Sequence, residues 1–269
     1  MKPAAFDYVS PTRKSDVLAL LAEHGQNARI IAGGQSLMAV LNMRMTQPKL
    51  LIDINRIDEL HYIEPQKRHL AVGAGVRQAE LLSWPGLAEA VPLLARAMPW
   101  IGHFQTRNRG TVCGSLAHAD PSAELPLCLT TLGGEVVLES KRGRRTVVAE
   151  AFFQGILTTD RRPDELLTEV RFPMSQPGVE YRFNEIAMRH GDFAIVSLAA
   201  VIGADAIRLG VGGVADRPVA RNLERDQDLA GALNETAWSL DAQDDVQATA
   251  AYRRQMVREL GKRLIEEGY

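Results

Sequence analysis

Apolar Val17, Leu18, Leu20 and Leu21 form a helical stripe behind the start signal Ser10-Pro11-Thr12, and Gly25 after His24 supplies its stop. Ala28 to Ala32 then reads as a short strand that passes through Gly33-Gly34-Gln35-Ser36 into Leu37, Val40 and Leu41, whose spacing suits a helix beginning near Ser36. Leu50 to Ile54 reads as a buried strand, and Pro65-Gln66-Lys67-Arg68 as the turn of a hairpin between two more. Helical spacing returns over Arg77 to Ser83 and Gly86 to Met98, where Pro92 predicts a kink or a division into two pieces. From Gly102 to Pro121 periodicity is lost among glycine and polar residues, which predicts a long ordered loop. Ser122 to Leu132 is again helical. Val136 to Leu138 and Thr146 to Val148 suit a hairpin around Lys141-Arg142-Gly143-Arg144, and Leu166 to Phe172 a strand ending at Pro173. After a linker from Pro173 to Gly178, Phe193 to Ile202 and Ile207 to Val214 read as strands around Gly203-Ala204-Asp205, and the last twenty residues as a charged amphipathic helix.

A chain of 269 residues with 46% hydrophobic content buries a substantial core in one large domain or two compact ones. Its 31 basic and 33 acidic residues are interspersed, so no basic footprint for nucleic acid or an anionic membrane exists. Cys113 and Cys128 are the only cysteines, too few for a disulfide framework or a four-cysteine iron–sulfur cluster. The start of the chain, Met1 to Tyr8, lacks a signal peptide's apolar core, and no stretch approaches the roughly 20 apolar residues of a membrane span. A cytoplasmic protein is expected.

Two segments can carry chemistry. In the first, Gly33-Gly34 sits where a strand turns into a helix, so that backbone N–H groups can cradle an anion such as a pyrophosphate; simple turn geometry is the competing explanation. The dinucleotide fingerprint G-x-G-x-x-G is absent, since its nearest imitation, Gly73-Ala74-Gly75-Val76-Arg77-Gln78, lacks the third glycine, and a Rossmann domain is disfavoured. The second runs from Thr111 to Pro121, where small and hydroxyl residues let backbone approach a large polar ligand. His118 beside Asp120 lacks a nucleophile partner and is assigned to binding at most. The six histidines have no paired metal-ligand spacing, and the two cysteines form no C-x-x-C pair. Cys113 is either a redox thiol or, more commonly for such a position, a small packed residue. Arg107-Asn108-Arg109 contacts phosphate or a partner, or else orders its loop through a surface salt bridge.

Taken together, Ile30-Ile31-Ala32-Gly33-Gly34-Gln35-Ser36-Leu37, Arg107-Asn108-Arg109-Gly110-Thr111 and Gly114-Ser115-Leu116-Ala117-His118-Ala119-Asp120-Pro121 resemble the flavin subunit of molybdenum hydroxylases. That family includes the medium subunits of aerobic carbon monoxide dehydrogenase and of bacterial xanthine dehydrogenase-like enzymes. Gly191-Asp192-Phe193-Ala194, Gly212-Gly213-Val214-Ala215 and Tyr252-Arg253 extend the resemblance over nearly the whole chain.

The resemblance implies an α+β fold: a two-part FAD-binding domain of the vanillyl-alcohol oxidase and p-cresol methylhydroxylase type over residues 1–173, divided near 55–60, then a smaller domain of antiparallel sheet and helices over 179–269. It implies that Arg29, Ile30, Ile31, Ala32, Gly33, Gly34, Gln35, Ser36 and Leu37 wrap the FAD pyrophosphate. Thr111, Gly114, Ser115 and His118 would line its second side, with Ile101, Glu124, Leu166 and Leu167 at further contact positions. The FAD would be noncovalent, because neither motif offers an attachment residue. Two departures stand out: Cys113 replaces a common glycine, and Tyr181-Arg182-Phe183-Asn184 lacks a lysine that many relatives carry. The implied partners are a large subunit with the molybdenum cofactor and a small subunit with 2Fe-2S clusters, in a heterotrimer that dimerises, with FAD passing electrons to NAD, quinone or oxygen. The rival readings are a self-contained flavin oxidase or reductase and a non-catalytic assembly subunit. The plain, short region after Pro173 argues against the former.

Overall fold

The structure, a computed structural model, describes residues 2–267. Its first layer is a parallel sheet in which the apolar strand Leu50–Asp53 lies between Asp7–Val9 and Ala28–Ile31. Parallel neighbours need crossovers. The helix Lys14–His24 joins the two outer strands across the central one and turns Val17 and Leu21 into the core. Gly25 ends that helix with a φ of 49°, which an L side chain adopts only under strain. The helix expected near Ser36 is Leu37–Asn42.

A five-stranded antiparallel sheet follows, ordered Ile63–Pro65, His69–Gly73, Leu166–Pro173, Glu135–Ser140 and Gly143–Val148. Its central strand is buried from Leu166 to Val170, as a strand covered on both faces requires. Gly86 to Met98 does divide at Pro92: Leu87–Ala90 ends at Val91, whose φ of −141° is extended, and Pro92 opens Pro92–Ala97 at the helix position where its missing N–H costs nothing.

The long loop expected over Gly102 to Pro121 is not there. It folds as two short helices, Phe104–Arg109 and Val112–His118, joined at Gly110. Helices of six and seven residues are too short to display a periodic stripe. The second is instead defined at its ends, where the Thr111 hydroxyl accepts from the Gly114 N–H at 3.0 Å and Ala119 adopts a left-handed cap.

The remaining sheet is an antiparallel meander of Glu180–Ile186, Val196–Ile202, Ala206–Gly212 and Val219–Glu224. The strand expected from Phe193 thus begins at Val196. Leu198, Ala200, Leu209 and Val211 point to one face, where they pack with Leu233 and Val257 of the helices Leu229–Ser239 and Ala250–Glu266. On the other face lies the helix Glu124–Leu132. It approaches so closely that a Cβ on Gly210 would fall 1.8 Å from Thr131 Oγ1. The terminal helix ends at Glu266, and residues 268 and 269 of the expected helix, like Met1 of the expected leaderless start, fall outside the described residues. Among the described residues no helix is long and apolar enough to cross a membrane.

Candidate functional site

The elements converge on a cavity of about 750 Å³ between the two glycine segments. One wall is Arg29, Ile30 and Ala32 with the turn Gly33-Gly34-Gln35-Ser36-Leu37. The opposite wall is Thr111, Gly114, Ser115 and His118 on the short helix, and Ile101, Glu124, Leu166 and Leu167 complete the lining. Of the residues assigned to FAD contact in the sequence analysis, Ile31 alone is absent from it; its side chain instead lies near Gly34, and its carbonyl accepts from the Ile54 N–H at 3.1 Å.

Gly33 and Gly34 are glycine for different reasons. A Cβ on Gly33 would lie 2.2 Å from the Arg109 carbonyl oxygen and 2.7 Å from Gly110 Cα, so no side chain fits between the two segments. Gly34 has room for a Cβ but a φ of +73°. Polar residues set this close approach. Arg77 donates to the Arg109 carbonyl at 2.6 Å and to Asn55 Oδ1, while Asn55 Nδ2 donates to the Ala32 carbonyl at 2.9 Å. The Gln78 N–H and the Gly110 carbonyl, 2.8 Å apart, close the same seam. Asp53, bonded by the Tyr8 hydroxyl, accepts from the Asn55 N–H at 2.8 Å and anchors the strut to the parallel sheet. Sequence reasoning missed Asn55 and Arg77 because the contacts that join the two segments, Arg77 with Asn55 and the Arg109 carbonyl and Asn55 with the Ala32 carbonyl, each span more than twenty positions.

Among the described residues Arg107 forms no salt bridge, the loop-ordering alternative read from sequence. Its guanidinium donates to the carbonyls of Ile101 and Gly102 at 2.7 and 3.0 Å, which ties down the turn before its own helix. Cys113 lines the cavity but is buried, with its thiol toward the Val72 carbonyl. Burial, then Glu169, pushes that thiol far up, so a reactive thiolate is disfavoured and the packed role holds. Its backbone is helical, with no positive φ, so the position accepts a side chain.

Burial lowers the pKa of His118, with Asp120 opposing, so a neutral ring faces the cavity. Burial pushes Glu124 up to about 7. Behind Glu124, on the strand Glu180–Ile186, Glu185 is 4% exposed, and neither of its carboxyl oxygens has a hydrogen-bond partner. Burial and then Glu124 push it up to about 8. Arg182, the one basic residue in Tyr181-Arg182-Phe183-Asn184, donates to the Leu264 and Ile265 carbonyls.

Further lining residues were not assigned from sequence: Gln78, Thr158, Thr159 and Arg161, and the segment Gly191-Asp192-Phe193. That last segment carried a signal, since it is one of the motifs noted above. The wall chemistry as a whole is a glycine turn and hydroxyls on two sides, apolar Ile101, Leu166 and Leu167, and arginines. Such a set suits a ligand with both anionic and flat apolar parts.

Comparison with known proteins agrees. The family described as FAD binding domain in molybdopterin dehydrogenase matches residues 4–175. The chain is 41% identical over 225 residues, 81% of this chain and 76% of the relative, to caffeine dehydrogenase subunit beta of Pseudomonas sp. (strain CBB1). It is 38% identical to the 6-hydroxypseudooxynicotine dehydrogenase complex subunit alpha of Paenarthrobacter nicotinovorans, over 98% of this chain and 95% of that one. Among solved structures, quinoline 2-oxidoreductase from Pseudomonas putida 86 superposes with a TM-score of 0.92 at 33% identity, covering 99% and 98% of the two chains. Carbon monoxide dehydrogenase from Hydrogenophaga pseudoflava does so with a TM-score of 0.91 at 31% identity, covering 98% and 96%. The chain therefore belongs to the family of FAD-binding subunits of the molybdopterin dehydrogenases.

Proposed function

We propose that this chain is the electron-relay subunit of a molybdenum hydroxylase, holding FAD noncovalently in the cavity between its two glycine segments. The observation that carries the placement is the contact at Gly33, where a Cβ would strike the Arg109–Gly110 backbone, so that the two glycine segments meet with no side chain between them while both line the cavity. Bound FAD supplies a two-electron carrier between partner-held 2Fe-2S clusters and an external acceptor. The chain's own residues bind and orient. The turn Gly33 to Ser36 receives the pyrophosphate, Thr111, Ser115 and His118 line the other side, and Ile101, Leu166 and Leu167 give apolar contact. Residues 1–173 form the FAD-binding unit and 179–269 the second, whose Gly191 to Phe193 segment closes the cavity.

The partners are a large molybdenum-cofactor subunit and a small iron–sulfur subunit, assembled as a dimer of heterotrimers in the cytoplasm. Met45, Leu157 and Phe193 line the cavity yet are 63%, 41% and 57% exposed, an apolar rim that suits a protein interface beside the flavin. The names of the relatives cover caffeine, nicotine, carbon monoxide and quinoline, so substrate choice resides in the molybdenum subunit and not in this fold.

Acid precipitation of the purified complex tests the mode of binding. All flavin should pass into the supernatant, with the mass of FAD, and the protein pellet should be colourless. A yellow pellet, or release of FMN, contradicts the proposal.

A further inference from the structure

Arg29 and Arg161 both line the cavity, Arg29 on the strand that leads into the glycine turn and Arg161 in the loop before Leu166. Each is partly buried, and among the described residues neither forms a side-chain ion pair. Arg29 donates to the Gln26 and Ala28 carbonyls, and Arg161 uses a single nitrogen, Nη1, for the Arg162 and Glu165 carbonyls at 3.1 and 2.7 Å. The neighbouring acids are engaged elsewhere, since Asp160 and Glu165 both pair with Arg145. Nε and Nη2 of Arg161 therefore have no protein partner, although a guanidinium carries five N–H donors in a planar fork. Arg29 is near enough to oppose the charge of Arg161. Two cations of this kind, partly out of water on one cavity, are each stabilised by an anion placed between them.

We propose that Arg161 acts with Arg29 as a two-guanidinium clamp on the adenosine-diphosphate half of the bound dinucleotide, and so sets a preference for FAD over FMN. The proposal rests on the reading of this cavity as the flavin site. A diphosphate carries charge that matches the pair, and its oxygens accept fork donors at short distance. FMN lacks the adenylate half and would gain less from Arg161.

The test uses the purified complex stripped of flavin and titrated with FAD, FMN and, as a competitor of FAD, ADP. Arg161→Gln should weaken FAD about tenfold or more, as loss of charge-assisted hydrogen bonds does. ADP competition should fall in parallel, FMN affinity should change less than about twofold, and the salt dependence of FAD binding should flatten. Arg161→Lys should restore the salt dependence but only part of the affinity. Unchanged FAD affinity in Arg161→Gln overturns the clamp. So does an equal loss for FAD and FMN with a lowered melting temperature of the flavin-free protein, because Arg161 would then only pin its loop through the two carbonyls. If the parent takes up no FAD while its melting temperature is normal, the flavin reading itself fails, and the clamp with it.

Discussion

Gly33→Ala is expected to give a protein with less than about a tenth of the parent's flavin, even though it adds one methyl group. At 2.2 Å from the Arg109 carbonyl oxygen the new Cβ meets backbone, not a side chain that can turn away. Relief requires the turn and the Arg109–Thr111 segment to separate, against the bonds that Arg77 and Asn55 make across them. Overpacking of this kind typically costs about 1–3 kcal/mol, and here it falls on the two walls of the site. Gly34→Ala provides the contrast. Its nearest heavy atoms would be side-chain carbons at 3.5 Å, so only the left-handed φ is penalised, at roughly 1–2 kcal/mol. Flavin absorbance per chain, measured on both variants, should rank parent first, Gly34→Ala next and Gly33→Ala last. Full flavin content in Gly33→Ala would show that the segments need not touch.

Glu185→Gln should stabilise the protein, increasingly so as pH rises. In an unfolded chain a glutamate ionises near ~4.3, whereas native Glu185 keeps its proton up to about 8. Between those values the native state binds more protons than the unfolded state, so stability falls with rising pH and the loss is complete above the native value. Glutamine fills the same space without a charge to desolvate, and its amide meets the same neighbours. The gain should be small near pH 5 and on the order of 1–3 kcal/mol near pH 8.5. For a chain of this size that corresponds to a rise of roughly 2–4 °C in melting temperature per kcal/mol. Melting curves at the two pH values decide the matter. A variant that is less stable than the parent at both would mean that the native carboxylate is ionised and paired.

Glu185 also illustrates what the chain makes hard to read. In Glu180–Ile186 the buried positions are Tyr181, Phe183 and Glu185, so the alternation that marks a half-buried strand ends on a charged residue. The edge strand Val219–Glu224 buries only Leu223 and shows no regular alternation. By contrast Leu50–Asp53 and Leu166–Pro173 announced themselves as buried apolar runs, and Pro92 and Gly25 marked the helix boundaries that they form. Neither sheet order nor the burial of one glycine segment against another is encoded locally. Gly33-Gly34 reads as a turn in sequence, and only the position of Arg109, some seventy-five residues on, shows why the first of them lacks a side chain. The short helices at 104–109 and 112–118 escaped for want of length, although the Thr111 cap three residues before Gly114 was a usable sign. Arg161 had none: it is one arginine in a charged loop, and its meaning depends on facing the same cavity as Arg29.

On the proposed relay, this chain collects electrons and does not itself oxidise an organic substrate. Both of its cysteines are buried, and among the described residues no group of three or more His, Cys, Asp or Glu side chains is placed to hold a metal ion. The most direct test is anaerobic bleaching of the flavin's visible absorption, followed after addition of hydroxylase substrates to the isolated chain and to the complex with its neighbouring subunits. Bleaching should occur only in the complex, and should be lost again when the molybdenum cofactor is inactivated. Reduction of the isolated chain by the same substrate at the same rate would contradict the relay and establish a self-contained flavin enzyme.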